Sequence, residues 1–319
     1  MKNNIVKKID IDLVYLWVDG SDPNWLAKRN AFIGNVEENT SAICKGRFAN
    51  NDELKYSLRS VEKYAPWIRK IFIVTDNQTP DWLDTKNPKI KVVDHKDIIP
   101  QKCLPCFNPM LIEHFIYKIT DLSEHFIFAN DDMFINKPIS PDIFFAEDGF
   151  PIIRLNYKIF RRLRIFWRER IRKKPLHQYR QTVVNARQLV EKRYGKYFNG
   201  APHHNIDAYL KSNCQKTAEE IFKKELEATF VNHLRNNNDI QRIIYSYVAL
   251  AEKRGYLHYV SKKDSFHVQI YRENDYKKLV KYNPTLFCMN DSPYADDKDR
   301  ERLKKWLDNY FPEKSAFEK

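Results

Sequence analysis

The strongest chemical pattern in the chain is HFIFANDDMFI, residues 125–135. An apolar, strand-like run delivers an amide and two adjacent carboxylates at its exit, Asn130, Asp131 and Asp132. Neighbouring acids repel, and burying both is costly without a compensating cation. A hard divalent ion with oxygen ligands, such as Mg²⁺ bound to donor phosphates, supplies that charge. The competing structural use is an acid pair that merely caps a turn. Pro202-His203-His204 offers imidazoles able to exchange a proton near neutral pH, without the HExxH spacing of a zinc protease. Cys103 and Cys106 form a lone CxxC with no second pair, so they read as ordinary thiols. GxGxxG, the P-loop and GxSxG are absent, which argues against dehydrogenase, P-loop kinase and serine hydrolase chemistry.

These groups need a scaffold, and the first half alternates strand and helix patterns. Short apolar runs at 13–18, 71–75, 90–93 and 126–129 each lead into an acid: Asp19-Gly20, Asp76, Asp94 and Asp131-Asp132. Between them, residues 52–64 place Leu54, Leu58 and Val61 on one helical face, with Asn51 or Asp52 as cap and Pro66 as stop. Residues 109–119 also read as helix. This alternation predicts an α/β fold, a mostly parallel sheet with flanking helices, whose ligands sit at the carboxyl ends of the strands. Beyond it, 179–197, 206–226 and 240–253 read as helices, 256–268 holds strands, and 298–310 is an amphipathic helix. The second half is thus mainly helical.

The charge balance, 55 basic against 42 acidic residues, is +13, which favours anionic partners. Five cysteines do not make a disulfide framework, so a reducing cytosol is expected. No run approaches the ~18 apolar residues that span a bilayer, so any membrane work is expected from the cytosolic face. Residues 157–174, YKIFRRLRIFWRERIRKK, interleave nine cations with Ile159, Phe160, Leu163, Phe166 and Trp167. Either this helix packs its apolar face on the core, or it lies on an anionic membrane or glycan. Nucleic acid is not an expected partner.

Four separated segments together resemble the Stealth family, which includes bacterial capsule phosphotransferases and the catalytic part of the lysosomal-targeting N-acetylglucosamine-1-phosphotransferase. They are IDLVYLWVDGSDPNW (11–25); RFANNDELKYSLRSVEKYAPWIRKIFIVTDNQTPDWL with its continuation to Phe145; PHHNIDAYLKS with the later LRNNNDIQ; and FCMNDS with FPEKSAFE. The resemblance implies a GT-A-like or Rossmann-like core, a nucleotide-sugar donor (usually a UDP-sugar) and a divalent cation, Mg²⁺ or Mn²⁺. It implies attack by a glycan hydroxyl on the sugar-bound phosphorus, giving a phosphodiester and a nucleoside monophosphate. Glu113 of LIEHF, Asp132 of ANDD, His204 of HHNIDAY and Arg235 of LRNNND fall on the family's essential positions. Arg235 and a metal suit the charge of a phosphoryl transition state, while His204 or Asp132 suits the acceptor proton. Asn130, Asp131 and Asp132, with Asn290-Asp291, are candidates for the metal. Asp19, Gly20, Arg47, Arg59 and Asp76 are candidates for the donor. The chain lacks large inserted modules, which favours a polysaccharide or oligosaccharide acceptor over a protein.

The expected organisation is a donor- and metal-binding core at 1–150, a helical basic region at 151–280 carrying His204 and Arg235, and a closing segment at 281–319. The competing readings are a metal-dependent glycosyltransferase that releases UDP, and a non-catalytic basic protein that binds membranes or polyanions.

Overall fold

The computed structural model describes residues 9–33, 50–157 and 159–319. Arg47 lies outside the described residues. The strands, in chain order, are β1 (Ile11–Leu16), β2 (Ile71–Thr75), β3 (Ile90–Asp94), β4 (His125–Asn130), β5 (Met133–Ile135), β6 (Ile152–Asn156), β7 (Ala201–Pro202), β8 (Asp207–Leu210), β9 (Tyr256–Tyr259), β10 (Ser265–Gln269) and β11 (Leu286–Asn290).

Five of them form the main sheet in the order β3-β2-β1-β4-β8, and the first four are parallel. The mostly parallel α/β architecture expected from the alternating pattern is therefore present. β1 and β2 are buried along almost their whole length because helices cover both faces. Registers Leu16↔Val74 and Leu16↔Asn130 bring the carboxyl ends of β1, β2 and β4 to one edge. At the opposite edge, Asp12 is fully buried and satisfied by Arg69 Nε (2.9 Å), Lys70 N (3.1 Å) and Ser123 N (2.7 Å).

The helix expected from 206 begins instead as β8, antiparallel to β4. Ile206, Ala208 and Leu210 enter one core while Tyr209 enters the other. That period of two is the signature of a strand buried on both faces. Helix follows only from Lys211, interrupted by a π-helical turn at Thr217–Ile221. The helix Glu53–Tyr64 is as expected, but its cap is not. Asp52 has φ 64 and makes no capping hydrogen bond, while Asn51 donates to Glu53. The expected helix at 109–119 is two pieces, Pro109–Glu113 and a 3₁₀ turn at Ile116–Lys118.

A second sheet, β10-β11-β5, leaves the end of β4 through the Asp131–Asp132 turn. β11 lies between parallel β10 and antiparallel β5, with Cys288 opposite both His267 and Met133. Strand pairings β4·β8 and β5·β11 thus cross the three-way division of the sequence. A third sheet is β7-β6-β9. Among the described residues no helix is long and apolar enough to cross a membrane.

Candidate active site

β4 is paired on both sides, by β1 and β8, so the turn that follows it is held in place. Glu53, the first residue of its helix, is brought against that turn. Ser57 Oγ donates to Met133 O (2.5 Å), and Ile135 N donates to Ser60 Oγ (3.1 Å), locking the helix onto β5. Tyr15 OH and Ser57 Oγ share a hydrogen bond of 2.6 Å. Glu53 accepts from Asn51 N and Nδ2, each at 2.7 Å. Asp132 Oδ2 accepts from the Cys288 thiol at 3.1 Å. Asp132 Oδ1 is buried and has no hydrogen-bond partner among the described residues. Burial, reinforced by mutual repulsion, holds Glu53, Asp131 and Asp132 well above the ordinary carboxylate range. The arrangement is short of positive charge, and its donors are oxygens, the set that suits Mg²⁺ or Mn²⁺.

The two adjacent histidines have different surroundings. His203 is buried, with Nε2 3.0 Å from Asp207 Oδ1 and Nδ1 3.2 Å from Ser265 Oγ, so both ring nitrogens are occupied. His204 takes the left-handed conformation, φ 55, which turns its ring out of that pair. The ring stands edge-on to His267, centroids 5.1 Å apart, and the Asn290 side chain lies beside both imidazoles and favours their protonated forms. Burial, then the nearby His267 and Arg242, push His204 down to about 3, so it is neutral at physiological pH. Cys288 and Asn290 lie on one face of β11, the first touching Asp132 and the second His204. The histidine is thereby brought to the acid turn.

Behind His203 runs a second chain of charge. Asp207 Oδ2 is 3.1 Å from Arg242 Nη2, and Arg242 Nη1 is 2.9 Å from Glu113 Oε1. Arg242 Nε also donates to Tyr209 OH (3.1 Å), and its guanidinium lies over the Phe128 ring at 4.3 Å. Burial raises Glu113 and is opposed by Arg242 and Arg235. Arg235 sits in a loop organised by Asp239, which accepts from Asn232 Nδ2 (2.7 Å), Asn236 N (2.8 Å) and Asn108 Nδ2 (3.0 Å). Asn108 caps the helix that carries Glu113, so one residue fixes both catalytic candidates.

At the ends of β1 and β2, Asp19 and Gln78 exchange two hydrogen bonds of 2.9 Å through the Asp19 backbone, and Asp19 Oδ1 accepts from Ser21 N (2.9 Å) beside Gly20. Asp76 pairs with Lys28 (2.5 Å). Two candidates do not join them with free groups. The Arg59 guanidinium is taken by Glu318 (2.7 Å) and Phe311 O (2.7 Å). Asp291 is gripped by Arg300 at 2.8 and 3.1 Å.

The conserved-region models Stealth protein CR1 and Stealth protein CR2 match residues 10–37 and 47–153. A capsular polysaccharide phosphotransferase of Actinobacillus pleuropneumoniae is 32% identical over 98% of this chain and 85% of its own length. An exopolysaccharide phosphotransferase of Lactiplantibacillus plantarum is 32% identical over 97% of this chain and 96% of its own. The chain belongs to the Stealth family. Among solved structures it overlaps the galactosyltransferase LgtC in complex with donor and acceptor sugar analogs, with 10% identity, a TM-score of 0.45 and 96% of each chain covered. On this Stealth chain the matched regions carry Asp19, Gly20, Glu53, Glu113, Asp131 and Asp132. His204, Arg235 and Asn290 lie beyond them and are brought in by β8 and β11.

Sequence reasoning missed Glu53, Arg242, His267 and Cys288. Glu53 had a local signal, an acid opening an amphipathic helix after Asn51-Asp52. Arg242 had none, because its partners are 129 and 35 positions away.

Proposed function

We propose that this Stealth protein transfers a hexose 1-phosphate from a UDP-sugar to a hydroxyl of a capsular or extracellular polysaccharide, releasing UMP. The observation that carries the reading is the meeting, at one sheet edge, of Glu53, Asp131 and Asp132 with a neutral His204. The relatives' names as capsular and exopolysaccharide phosphotransferases favour it over sugar transfer alone.

Asn130, Asp131 and Asp132, with Glu53 and Asn290, would hold the Mg²⁺ or Mn²⁺, which supplies charge neutralisation to the donor diphosphate and the leaving group when bound. Asp291, already paired with Arg300, supports that set from outside it. Asp19, Gly20 and Asp76, with Lys28, form the donor end, and Arg59 belongs to the scaffold. The acceptor oxygen forms its bond to the sugar-bound phosphorus as the bond to UMP breaks. Its proton passes to His204 or Asp132. Neutral His204 can accept it, and the negative charge of the substrate raises its basicity. Arg235 offers a planar fork to the phosphoryl oxygens. Glu113, through Arg242, Asp207 and His203, positions the loop that carries His204. Incubating the enzyme with a panel of nucleotide sugars and capsule oligosaccharides should release UMP and give a phosphodiester signal in ³¹P NMR. Release of UDP with no phosphorus in the product would establish glycosyl transfer instead.

Residues 157–174 supply the membrane side of this reading. Helix Arg161–Phe166 and the π-helical turn Trp167–Ile171 leave Phe160 71% and Leu163 63% exposed, together with Ile159, Phe166, Trp167 and Ile171. They do not pack on the core. Tyr157 contacts Tyr259 of β9, where Tyr256 and Leu257 are also exposed. Apolar side chains beside Arg162, Arg164 and Arg168 suit an anionic bilayer, which supports a reading in which the enzyme works at the inner face of the cytoplasmic membrane. Flotation with phosphatidylglycerol vesicles should weaken when those three arginines become Gln, by about 1 kcal/mol each. It should weaken further in Phe160→Ser/Leu163→Ser. Equal flotation of all forms would remove the membrane contact.

A further inference from the structure

Beside the oxygen-rich acid turn lies a group of softer ligands. Cys288 is fully buried on β11, and His267 is its register partner on β10. His204 reaches them from the β7–β8 loop. Each of the three offers one ligand atom, and these atoms lie within 4.8 Å of one another. A tetrahedral zinc ion with bonds of ~2.0–2.3 Å needs ligand atoms about 3.3–3.7 Å apart. Imidazole and thiol rotations that contract the group by on the order of 1 Å are enough. Two nitrogens and one sulfur select zinc- or cobalt-class ions over Mg²⁺. A fourth ligand is at hand, since Asp132 Oδ2 is 3.1 Å from Cys288 Sγ.

We propose that His204, His267 and Cys288 form a transition-metal site of zinc class, completed by Asp132, whose occupation silences the adjoining phosphotransfer site. On binding, Cys288 loses its thiol proton to solvent and its sulfur forms the metal bond. Asp132 Oδ2 exchanges the thiol hydrogen for the metal. His204 then has no lone pair for the acceptor proton, and Asp132 is shared between two ions. The silencing clause rests on the proposed reaction. The binding clause does not.

The test begins with Co²⁺ added to the chelator-stripped protein. One equivalent should produce the near-ultraviolet thiolate-to-cobalt band and the strong visible bands of a tetrahedral ion. Excess Mg²⁺ should not displace them, and Zn²⁺ should. Cys288→Ser should lose the thiolate band. His267→Gln, which leaves the buried thiol in place, should weaken binding about tenfold or more. Zn²⁺ should inhibit turnover at saturating Mg²⁺, and each variant, measured against its own zinc-free rate, should be less sensitive. Absence of the thiolate band, or its survival in Cys288→Ser, overturns the site. Tight zinc binding without inhibition overturns the silencing and leaves the site. A protein that binds cobalt as expected yet makes no phosphodiester overturns the proposed reaction and leaves the site.

Discussion

Two clusters of buried charge flank the loop from His203 to Asp207, and they are balanced differently. In Glu113–Arg242–Asp207–His203, the guanidinium binds a carboxylate on each side and Tyr209 as well. In Glu53–Asp131–Asp132, burial and repulsion push all three acids upward, and one oxygen of Asp132 is unpartnered among the described residues. The first cluster carries its own cation in Arg242, although Glu113 Oε2, like Asp132 Oδ1, has no hydrogen-bond partner among the described residues. The second has no such cation facing it among the described residues, which is how the proposed metal site differs from a structural ion pair. Asp12, more deeply buried than Asp131 and Asp132 and surrounded by donors, shows that this chain can satisfy a buried carboxylate with its own groups.

The sharpest way to break the comparison is to unbalance the first cluster. Arg242→Met should cost about 3–5 kcal/mol in chemical denaturation, because Glu113 and Asp207 lose their shared cation. Arg242→Lys should recover only part, since an ammonium cannot reach Glu113, Asp207 and Tyr209 together. Loss of under 1 kcal/mol would make the two clusters alike. In the second cluster, Asp132→Asn should reduce turnover by about 10²-fold or more while leaving the melting temperature unchanged or higher. Addition of Mg²⁺ should raise the melting temperature of the native protein, and much less that of the variant. A variant that loses stability and keeps its rate would reverse the assignment.

The smallest expected effect is a difference in the sign of the pH dependence. Folded Glu53, Asp131 and Asp132 bind protons that the unfolded chain releases near pH 4. In chelator, stability should therefore fall as pH rises from about 4 toward neutrality, and Glu53→Gln should flatten that limb. His114, adjoining the balanced cluster, behaves oppositely. It lies 2.8 Å from Tyr245 OH and 2.7 Å from Ile240 O, and burial pushes it down to about 4. Its contribution is present above pH 6.5 and is lost as pH falls toward 4. His114→Gln should flatten the acid limb by on the order of 1 kcal/mol. Identical melting profiles in all three proteins would show that neither the acid cluster nor His114 titrates with folding.

The acid turn was legible because strand, turn and paired carboxylates are consecutive, and the parallel sheet because its strands are continuous apolar runs. The Stealth-like segments pointed to Glu113, His204 and Arg235 individually. They could not show that Arg242 joins two of these regions, because that contact depends on tertiary closure. β8 was mistaken for helix because its period of two lasts only a few residues before the chain continues directly into the helical residues 211–216. For 157–174 the sequence left packing on the core and contact with an anionic membrane or glycan both open, because periodicity reports an amphipathic face without naming its partner.

The position of β11 has a kinetic consequence. Residues 286–290 must enter between strands at 133–135 and 265–269, closing a loop of about 150 residues that the main sheet does not need. Contacts of such sequence separation form slowly. Refolding should therefore regain its secondary structure before its affinity for Mg²⁺. On the ribosome, the ends of β1 and β2 proposed to take the donor would be complete while the groups proposed to act on phosphorus were still apart. β11, the latest in the chain of the described strands, would then be the one that completes the proposed site, so a nascent chain that has not reached it would have no means of consuming its donor.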